Sequence, residues 1–553
     1  MRNACILALG AIFAVGGAFA DETTPPAKDR IADKPPPVRT QTFKPEEQTS
    51  VGSVTVSGSR IEYQAMAGTL VVHPKGWDDA ARSAGKESDR EDQQNQDRPD
   101  GSSNERSPTA EASMFYAAYF KKGSAPETRP LTFLFNGGPG SSTVWLHMGA
   151  FGPKRVVTAD DSHSPPAPYE LIDNDQSLLD ASDLVFIDAP GTGFSRISGK
   201  DKEKAFYGID ADAHAFAEFI TEFLTKYGRW NSPKFLFGES YGTTRSAALI
   251  NLLETDRHVD FNGLILLSQI LNFDLSPDGP QSNPGVDLPY QLALPTYAAT
   301  AWYHHKLADP PKDLARLLKE VERFAMTDYA LALQPGATLD QTQRDAVAGK
   351  LHDYTGLPVE YIKKADLRIN GGEFRKTLQD DGDTTTGRYD TRFLGPTMDP
   401  LSKGADYDPQ QAAISSAYVS AFNDYARKTL KYGGDKIYKP LIFLGTTWNY
   451  QHQPPNSPRP LRHANVMADL AWAMKYNPNL KVQLNAGYFD LATPFYEGIY
   501  EMSQLPMPAK LQANIEYKFY QSGHMVYVHE PALKELHDNV AAFIRATDHV
   551  PAD

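Results

Sequence analysis

Short apolar runs alternate with helical patterns along much of the chain, and this alternation restricts the possible folds more than any other feature. The runs Leu131–Phe135, Leu184–Ile187, Lys234–Phe237 and Leu264–Leu267 have the length and apolar character of buried strands. Between them, Ala211–Tyr227 places apolar residues at the spacing of a helix. Buried strands that alternate with helices predict an α/β fold with a mostly parallel central sheet flanked by helices.

The alternation is interrupted once, by a long helix-rich and irregular block. It stops near Asn272 and returns with two helices and two strands, over Val466–Tyr476, Lys481–Asn485, Glu516–Tyr520 and Pro531–Ala546. We therefore predict one core domain in two parts, residues 51–273 and 464–553, with a helical cap inserted at residues 274–463.

The N-terminus has the pattern of a cleavable signal peptide over residues 1–20. Arg2 precedes a short apolar run, and Ala18-Phe19-Ala20 fits a cleavage site. The alternative is a membrane anchor, but the apolar run is short for a span. The single cysteine, Cys5, lies in this segment, so the mature chain would form no disulfide. We expect a periplasmic or secreted protein with no membrane attachment after cleavage.

Two polar segments are predicted to lie outside the packed core. Residues 21–50, rich in Pro, Thr, Lys and Glu, are interpreted as a flexible leader, with order starting near Val51. Residues 76–112 are polar and charged, and they are interpreted as a disordered surface loop rather than a binding segment.

Charge and motif content argue against several classes of partner. The sequence has 55 Lys and Arg residues against 69 Asp and Glu residues, a formal net charge of −14, which disfavours nucleic acids and anionic membranes. Asp380-Asp381-Gly382-Asp383 resembles a calcium loop superficially, but the ligand spacing and the closing Glu are missing. We expect no metal and no cofactor.

The segment Gly238-Glu239-Ser240-Tyr241-Gly242 lies between a predicted strand and a predicted helix. A serine at such a tight turn is lifted off the sheet, and the flanking glycines leave room for the backbone. The following helix directs its free N–H groups at developing negative charge. The bare pattern is common by chance, but its strand–turn–helix setting predicts that Ser240 is a nucleophile.

A serine nucleophile needs a base and an orienting acid, which follow it in the chain order of α/β-hydrolases. His524 comes directly after the last predicted strand and is the candidate base. His529 is the rival, and a purely structural loop histidine is the alternative. Asp490, at the end of the preceding strand, is the candidate acid that would fix the imidazole tautomer. Its alternative role is to cap the next segment.

The loop Asn136-Gly137-Gly138-Pro139-Gly140-Ser141-Ser142 follows the strand Leu131–Phe135 directly. Its glycines allow close approach of a ligand. One of its backbone N–H groups and that of Tyr241 could form an oxyanion hole. The alternatives are a glycine-rich turn without a role or a phosphate loop, and the phosphate-loop spacing with Lys is absent. We assign no chemistry to a third loop, Asp188–Ser195.

The motifs NGGPGSS, DAPGTGFS, GESYG, the Asp490 turn and SGHM, in this order and at these separations, resemble the serine carboxypeptidase family, the S10 peptidases. The segments YQLALPTYAATAWYH and GYFDLATPF look particularly like exported bacterial members. The resemblance implies an α/β-hydrolase fold and removal of C-terminal residues from peptides. Mapped onto this chain, it implies a Ser240–His524–Asp490 triad and an oxyanion hole from the N–H groups of Gly138 and Tyr241.

The resemblance also implies that Asn136 and Glu239 bind the free C-terminal carboxylate of a peptide substrate. Two carboxyl groups share a hydrogen bond only if one keeps its proton, so a buried Glu239 would need a raised pKa. This reasoning predicts peptidase activity that is stronger at acidic pH and that fades as Glu239 ionises. The competing interpretation is that Glu239 only braces the turn around Ser240.

Two other functions stay open at this point. The same triad chemistry would serve an esterase or an acyltransferase, and a hydrolase fold can also serve a binding protein without catalysis. The presence of both Asn136 and Glu239 favours a substrate with a carboxylate, and the three triad residue types argue against the non-catalytic alternative.

Overall fold

A ten-stranded mixed sheet organises the residues that the computed structural model describes, 43–77 and 110–549. Two short two-stranded sheets accompany it. The strands are β1 Glu46–Val56, β2 Ser59–Val72, β3 Glu111–Lys121, β4 Leu131–Phe135, β5 Lys154–Val156, β6 Leu171–Asp173, β7 Asp183–Ile187, β8 Arg196–Ser198, β9 Lys234–Glu239, β10 Gly263–Leu267, β11 Thr384–Thr386, β12 Leu394–Pro396, β13 Lys481–Gly487 and β14 Ile515–Tyr520.

The helices lie between and beside these strands, with short 3-10 and π-helical turns connecting some of them. They are α1 Lys202–Phe206, α2 Ile209–Tyr227, α3 Tyr241–Thr255, α4 Leu288–Tyr303, α5 Leu314–Phe324, α6 Ala330–Leu333, α7 Gln341–Thr355, α8 Val359–Lys364, α9 Gly371–Thr377, α10 Pro409–Lys428, α11 Met467–Tyr476, α12 Phe495–Ser503 and α13 Glu530–Thr547.

The main sheet has the order β1-β2-β3-β7-β4-β9-β10-β13-β14, and β8 extends it by pairing with β3. The strands from β7 to β14 along this path are parallel, whereas β1, β2 and β3 pair antiparallel to one another and β3 pairs antiparallel to β7. In this order β4 lies between β7 and β9 and not beside β3. The carboxyl ends of the parallel strands β4 and β9 are therefore adjacent. The predicted α/β-hydrolase fold, a mostly parallel sheet flanked by helices, is confirmed.

The apolar strands bury both of their faces, as their continuous patterns predict. On β9, Leu236 packs into the core shared with α2 and α3. Phe235 and Phe237 point to the opposite face and pack with α10 and α13. Successive side chains of a strand point to opposite faces, so an unbroken apolar run is what a strand between two helical layers requires.

The structure differs from the sequence expectations at the N-terminal boundary. The first strand begins at Glu46, so order starts before Val51, inside the segment interpreted as a leader. This end of β1 is exposed but pairs with β2 from Glu46↔Thr69 onward. Backbone pairing at a sheet edge needs no apolar alternation, which is why composition missed it. The predicted signal peptide, residues 21–42 of the leader and residues 78–109 of the polar loop lie outside the described residues.

A second difference concerns the predicted cap at residues 274–463. Its last helix, α10, packs Ile414, Tyr418 and Phe422 against the core beneath the sheet rather than away from it. This helix therefore belongs to one of the two layers that cover the sheet. Within residues 43–77 and 110–549, no helix has both the length and the hydropathy that crossing a membrane requires.

A buried ion cluster ties the segment before α11 to the helical layer. The imidazole of His452 is held between Asp210 Oδ1, 2.6 Å from Nδ1, and Asp469 Oδ2, 2.7 Å from Nε2. Burial opposes the charged ring, but the two carboxylates outweigh burial and raise the pKa of His452 to about 9. Separately, Trp448 packs edge-on against the ring of Tyr241, the first residue of α3, at 5.3 Å.

We expect His452→Gln to lower the free energy of unfolding by about 1–3 kcal/mol at pH 6, because the charged imidazole is lost and the buried Asp469 keeps only neutral donors such as Asn251. Folding raises the pKa of His452 from 6.5 to about 9. The charged imidazole therefore stabilises the folded state fully below pH 6.5, and this stabilisation is lost as pH rises through about 9. The variant should therefore approach the parent at pH 10 in denaturant titrations. His463→Gln, which removes an exposed histidine–aspartate pair, is the control and should cost less than about 1 kcal/mol. Equal losses at both pH values would contradict a charged His452.

Candidate active site

Ser240 occupies the turn between β9 and α3, at the carboxyl edge of the sheet. Its backbone has φ 62° and ψ −132°, a conformation that L-residues adopt rarely and that lifts the side chain off the strand. Two backbone hydrogen bonds hold the turn: the N–H of Ser240 donates to the carbonyl of Leu267 at 3.0 Å, and that of Thr243 donates to the carbonyl of Ser240 at 2.7 Å. The geometry is that of a serine presented above a parallel sheet.

His524 lies with Ser240 in one cleft, and the buried Asp490 contacts the imidazole of His524. The Nδ1 of His524 lies 2.8 Å from Asp490 Oδ2, and His524 lines a cavity of about 50 Å³ together with Ser240. Both partners are buried, with 2% of His524 and none of Asp490 exposed. Burial opposes the charged imidazole, but Asp490 outweighs it and raises the pKa of His524.

The turn after β13 fixes the carboxylate of Asp490. Its Oδ1 accepts the backbone N–H groups of Ala492 and Thr493, at 2.9 and 3.0 Å. Its Oδ2 accepts the hydroxyl of Thr493 at 2.7 Å, in addition to the imidazole of His524. Asp490 therefore holds its own turn and also contacts the histidine, but it is not the N-cap of α12, where Pro494 stands.

Backbone contacts hold the histidine loop in place from two sides. The N–H of His524 donates to the carbonyl of Tyr389 at 2.6 Å, and the hydroxyl of Ser268 donates to the carbonyl of His524 at 2.6 Å. The ring of Tyr389 packs on the imidazole at a centroid distance of 5.0 Å. Tyr389 comes from the segment between β11 and β12, so the predicted cap contributes to the position of His524.

The glycine-rich loop after β4 lies against the first turn of α3. A Cβ on Gly137 would lie 2.5 Å from the backbone nitrogens of both Tyr241 and Gly242, so only glycine allows this approach. Gly138 lines the cleft beside Ser240. The first N–H groups of a helix have no acceptor within the helix, so Tyr241 and the adjacent loop can direct N–H groups into the cleft.

Glu239 and Asn136 also line this cleft, next to Ser240. The carboxyl of Glu239 is buried, with 1% exposed. Burial raises its pKa to about 7, and Asp490 adds to the effect, whereas His524 and hydrogen bonds from Tyr527 and Asn136 work against it. The hydroxyl of Tyr527 donates to Glu239 Oε2 at 2.9 Å. Glu239 thus keeps its proton up to near-neutral pH.

Asn136 is oriented by a buried network that includes an arginine. Its Oδ1 accepts the N–H of Leu146 at 3.0 Å, and its carbonyl accepts Arg245 Nη1 at 2.8 Å. Arg245 is fully buried, pairs with Asp212 through Nε at 2.7 Å and stacks on Phe216 at 4.3 Å. This network holds the strand-to-loop junction after β4 against α3.

The other sequence candidates occupy structural positions. His529 lies outside the cleft, where its Nδ1 contacts Asp160 Oδ1 at 2.7 Å. Asp188 accepts the N–H of Thr143 at 2.8 Å and that of Phe194 at 3.3 Å, so it braces two loops behind the cleft. Burial raises its pKa to about 6.

Several residues of the cleft lie outside the sequence motifs. They are Trp145, Tyr389, Gln411, Ile414, Ser415 and Leu441. Three of these lie on the first two turns of α10, a helix that the sequence analysis did not delimit. The residue that contacts Glu239, Tyr527, was also missed, and only its place three residues after His524 could have indicated it.

The described residues contain no evident set of metal ligands. Across the residues that the structure describes, no group of three or more His, Cys, Asp or Glu side chains could hold a metal ion. The side chains brought together at Ser240 are those that nucleophilic acyl transfer uses.

Comparison with known proteins relates one part of the chain to a peptidase family. Residues 105–272 match the Peptidase S10 family model, described as serine carboxypeptidase. This segment contains Asn136, Gly138, Glu239, Ser240 and Tyr241, but neither Asp490 nor His524.

Curated relatives are similar over limited segments. "Serine carboxypeptidase S10 family member 1" of Dictyostelium discoideum is 31% identical over 144 residues, 24% of this chain and 30% of the relative. "Pheromone-processing carboxypeptidase KEX1" of Phytophthora infestans is 32% identical over 23% of this chain and 21% of the relative. "Serine carboxypeptidase-like 33" of Arabidopsis thaliana is 28% identical over 37% and 39%. The chain thus spans less than two fifths of the length of each of these relatives.

Solved structures are similar across most of the chain at low identity. A proline iminopeptidase of Mycobacterium smegmatis covers 79% of this chain and 96% of its own, with 13% identity and a TM-score of 0.34. The peroxisomal α/β-hydrolase Lpx1 of Saccharomyces cerevisiae covers 93% and 94%, with 10% identity and a TM-score of 0.31.

Proposed function

We propose that the protein is a serine carboxypeptidase of the S10 family that releases C-terminal residues from peptides. The observation that carries the proposal is the position of Glu239, a buried carboxyl that keeps its proton near pH 7, in the cleft that holds Ser240 and His524. A protonated carboxyl can donate a hydrogen bond to the free carboxylate of a peptide. A general esterase has no need of such a donor beside its nucleophile.

In the proposed mechanism, Ser240 attacks the last peptide carbonyl while His524 takes its proton. Asp490 accepts the Nδ1–H of His524 and stabilises the imidazolium. The N–H groups of Gly138 and Tyr241 stabilise the oxyanion. His524 then protonates the leaving amine, and water hydrolyses the acyl-enzyme by the same steps in reverse. Asn136 and Glu239 hold the substrate carboxylate during acylation, until it leaves with the released C-terminal residue.

The proposal predicts how activity depends on pH. The rising limb follows His524, which must be neutral to act as a base, and the falling limb follows Glu239, whose proton is lost as pH rises through about 7. Glu239→Gln should remove the falling limb, because an amide donates a hydrogen bond at every pH. We expect kcat/KM for a free-carboxylate peptide to show no decline up to about pH 8.5 in this variant and to fall about tenfold or more between about pH 7 and 8.5 in the parent.

The control for this experiment is an ester substrate without a carboxylate. Its hydrolysis by the parent should show no falling limb near pH 7, since no substrate group needs the proton of Glu239. If Glu239→Gln had the same pH profile for the peptide as the parent, the proposed contact between Glu239 and the substrate carboxylate would be wrong.

A further inference from the structure

Tyr527 connects the two residues proposed to bind the substrate carboxylate. It lies in a short 3-10 turn, Val526–Val528, three residues after His524, and only 2% of it is exposed. Its hydroxyl donates to Glu239 Oε2 at 2.9 Å. The side chain of Asn136 interacts with both residues and acts to lower the pKa of each. None of the sequence motifs includes this tyrosine.

The backbone N–H of Leu146 sets the orientation of the amide in this network. The Oδ1 of Asn136 accepts the backbone N–H of Leu146 at 3.0 Å, so the amide nitrogen of Asn136 must face Tyr527 and Glu239. An amide N–H that donates to the oxygen of Tyr527 leaves the single proton of the phenol for Glu239. Because Oε2 accepts this proton, the carboxyl proton of neutral Glu239 belongs on Oε1.

A glycine in the neighbouring segment leaves space for the ring of Tyr527. A Cβ on Gly149 would lie 2.8 Å from Cδ2 of Tyr527 and 2.5 Å from the hydroxyl of Tyr418, so glycine is what allows both rings to pack here. Gly149 belongs to a fully buried π-helical segment, Leu146–Phe151, whose first residue supplies the N–H to Asn136. The same segment therefore places the tyrosine ring and orients the amide.

We propose that Tyr527 is a positioning residue that fixes the proton of Glu239 on Oε1, the oxygen left to donate to the carboxylate of the substrate. The inference rests on the function proposed above. Without the phenol, the proton exchanges between the two carboxyl oxygens, and part of the population presents a lone pair to the incoming carboxylate. Tyr527 then contributes to recognition of the free C-terminus and not to attack by Ser240.

The charged and titratable groups around Glu239 come from four elements. His524 and Asp490 follow β14 and β13, Tyr418 lies on α10, and Tyr527 lies in the turn before α13. Asp490 raises the pKa of Glu239, whereas His524 and the hydroxyl of Tyr527 lower it. Loss of the hydroxyl alone must therefore raise the pKa of Glu239 further.

The test is Tyr527→Phe in the full chain, assayed with a free-carboxylate peptide and with a small ester that lacks a carboxylate. We expect KM for the peptide to rise about five- to tenfold, which corresponds to one buried hydrogen bond, with kcat changed less than about twofold. The falling limb of the peptide pH profile should move to higher pH. Ester hydrolysis should match the parent.

The matched control is Tyr418→Phe, which removes the hydroxyl of the neighbouring buried ring that also packs on Gly149. It should keep the parent KM and pH profile. A Tyr527→Phe profile identical to the parent, or an equal loss on peptide and ester, would overturn the inference. Glu239→Gln distinguishes failure of this inference from failure of the proposed function. If Glu239→Gln shifts the pH profile and Tyr527→Phe does not, only the role of Tyr527 is wrong. If neither variant shifts the profile, the proposed contact between Glu239 and the substrate carboxylate is wrong.

Discussion

Replacing Ser240 with Ala should reduce release of C-terminal residues about 10⁵- to 10⁶-fold while the protein stays folded. The expectation follows from the loss of the hydroxyl that is proposed to form the acyl-enzyme. The other residues of the cleft, including His524 and the N–H groups of Tyr241 and Gly138, would still bind and polarise the substrate. The small residual rate would reflect that contribution.

Two measurements check this result. Peptide hydrolysis is followed by mass spectrometry on a mixed library, and a fluorophosphonate probe reports covalent reactivity, with the adduct located by peptide mapping. The parent should carry the adduct on Ser240, and Ser240→Ala should carry none. Ser503→Ala, a substitution at the exposed end of α12, is the control and should behave as the parent. Labelling of the Ala variant at the parental rate, or retained turnover, would disprove the assignment of the nucleophile.

The positions of Ser240 in its turn and of the glycine-rich loop after β4 could be predicted from sequence, because both depend on local chain geometry. The strand, the turn and the helix around Ser240 are contiguous, and the glycines around it report where the backbone needs space. The same holds for the loop at Gly137, which follows its strand directly. Local patterns therefore located the carboxyl edge of the sheet and the loops that meet there.

Contacts between distant segments could not be predicted in this way. Tyr527 meets Glu239 across 288 positions of sequence, and Tyr389 meets His524 from the middle of the predicted cap. The apolar side of α10 is rich in alanine, so the helical periodicity of its hydrophobic residues is difficult to recognise in the sequence. Such residues acquire a role only when the sheet order brings their segments together.

Asp490→Asn should lower kcat about 10³- to 10⁴-fold, and the geometry explains why an isosteric change has so large an effect. The backbone N–H groups of Ala492 and Thr493 need an acceptor, so the oxygen of the new amide stays at the place of Oδ1. Its NH₂ group then replaces Oδ2 and donates to Nδ1 of His524. The imidazole is forced to carry its proton on Nε2, where it cannot accept the proton of Ser240.

The matched control is Asp469→Asn, because Asp469 is also a buried carboxylate bound to a histidine, but at His452 and outside the cleft. It should lower stability in denaturant titrations and leave kcat nearly unchanged. In Asp490→Asn, fluorophosphonate labelling of Ser240 should slow in parallel with kcat, since both need His524 as a base. If labelling stayed fast while peptide turnover fell, Asp490 would act on substrate binding rather than on the tautomer. These two buried aspartate–histidine pairs thus separate the effect of a carboxylate on folding from its effect on the nucleophile.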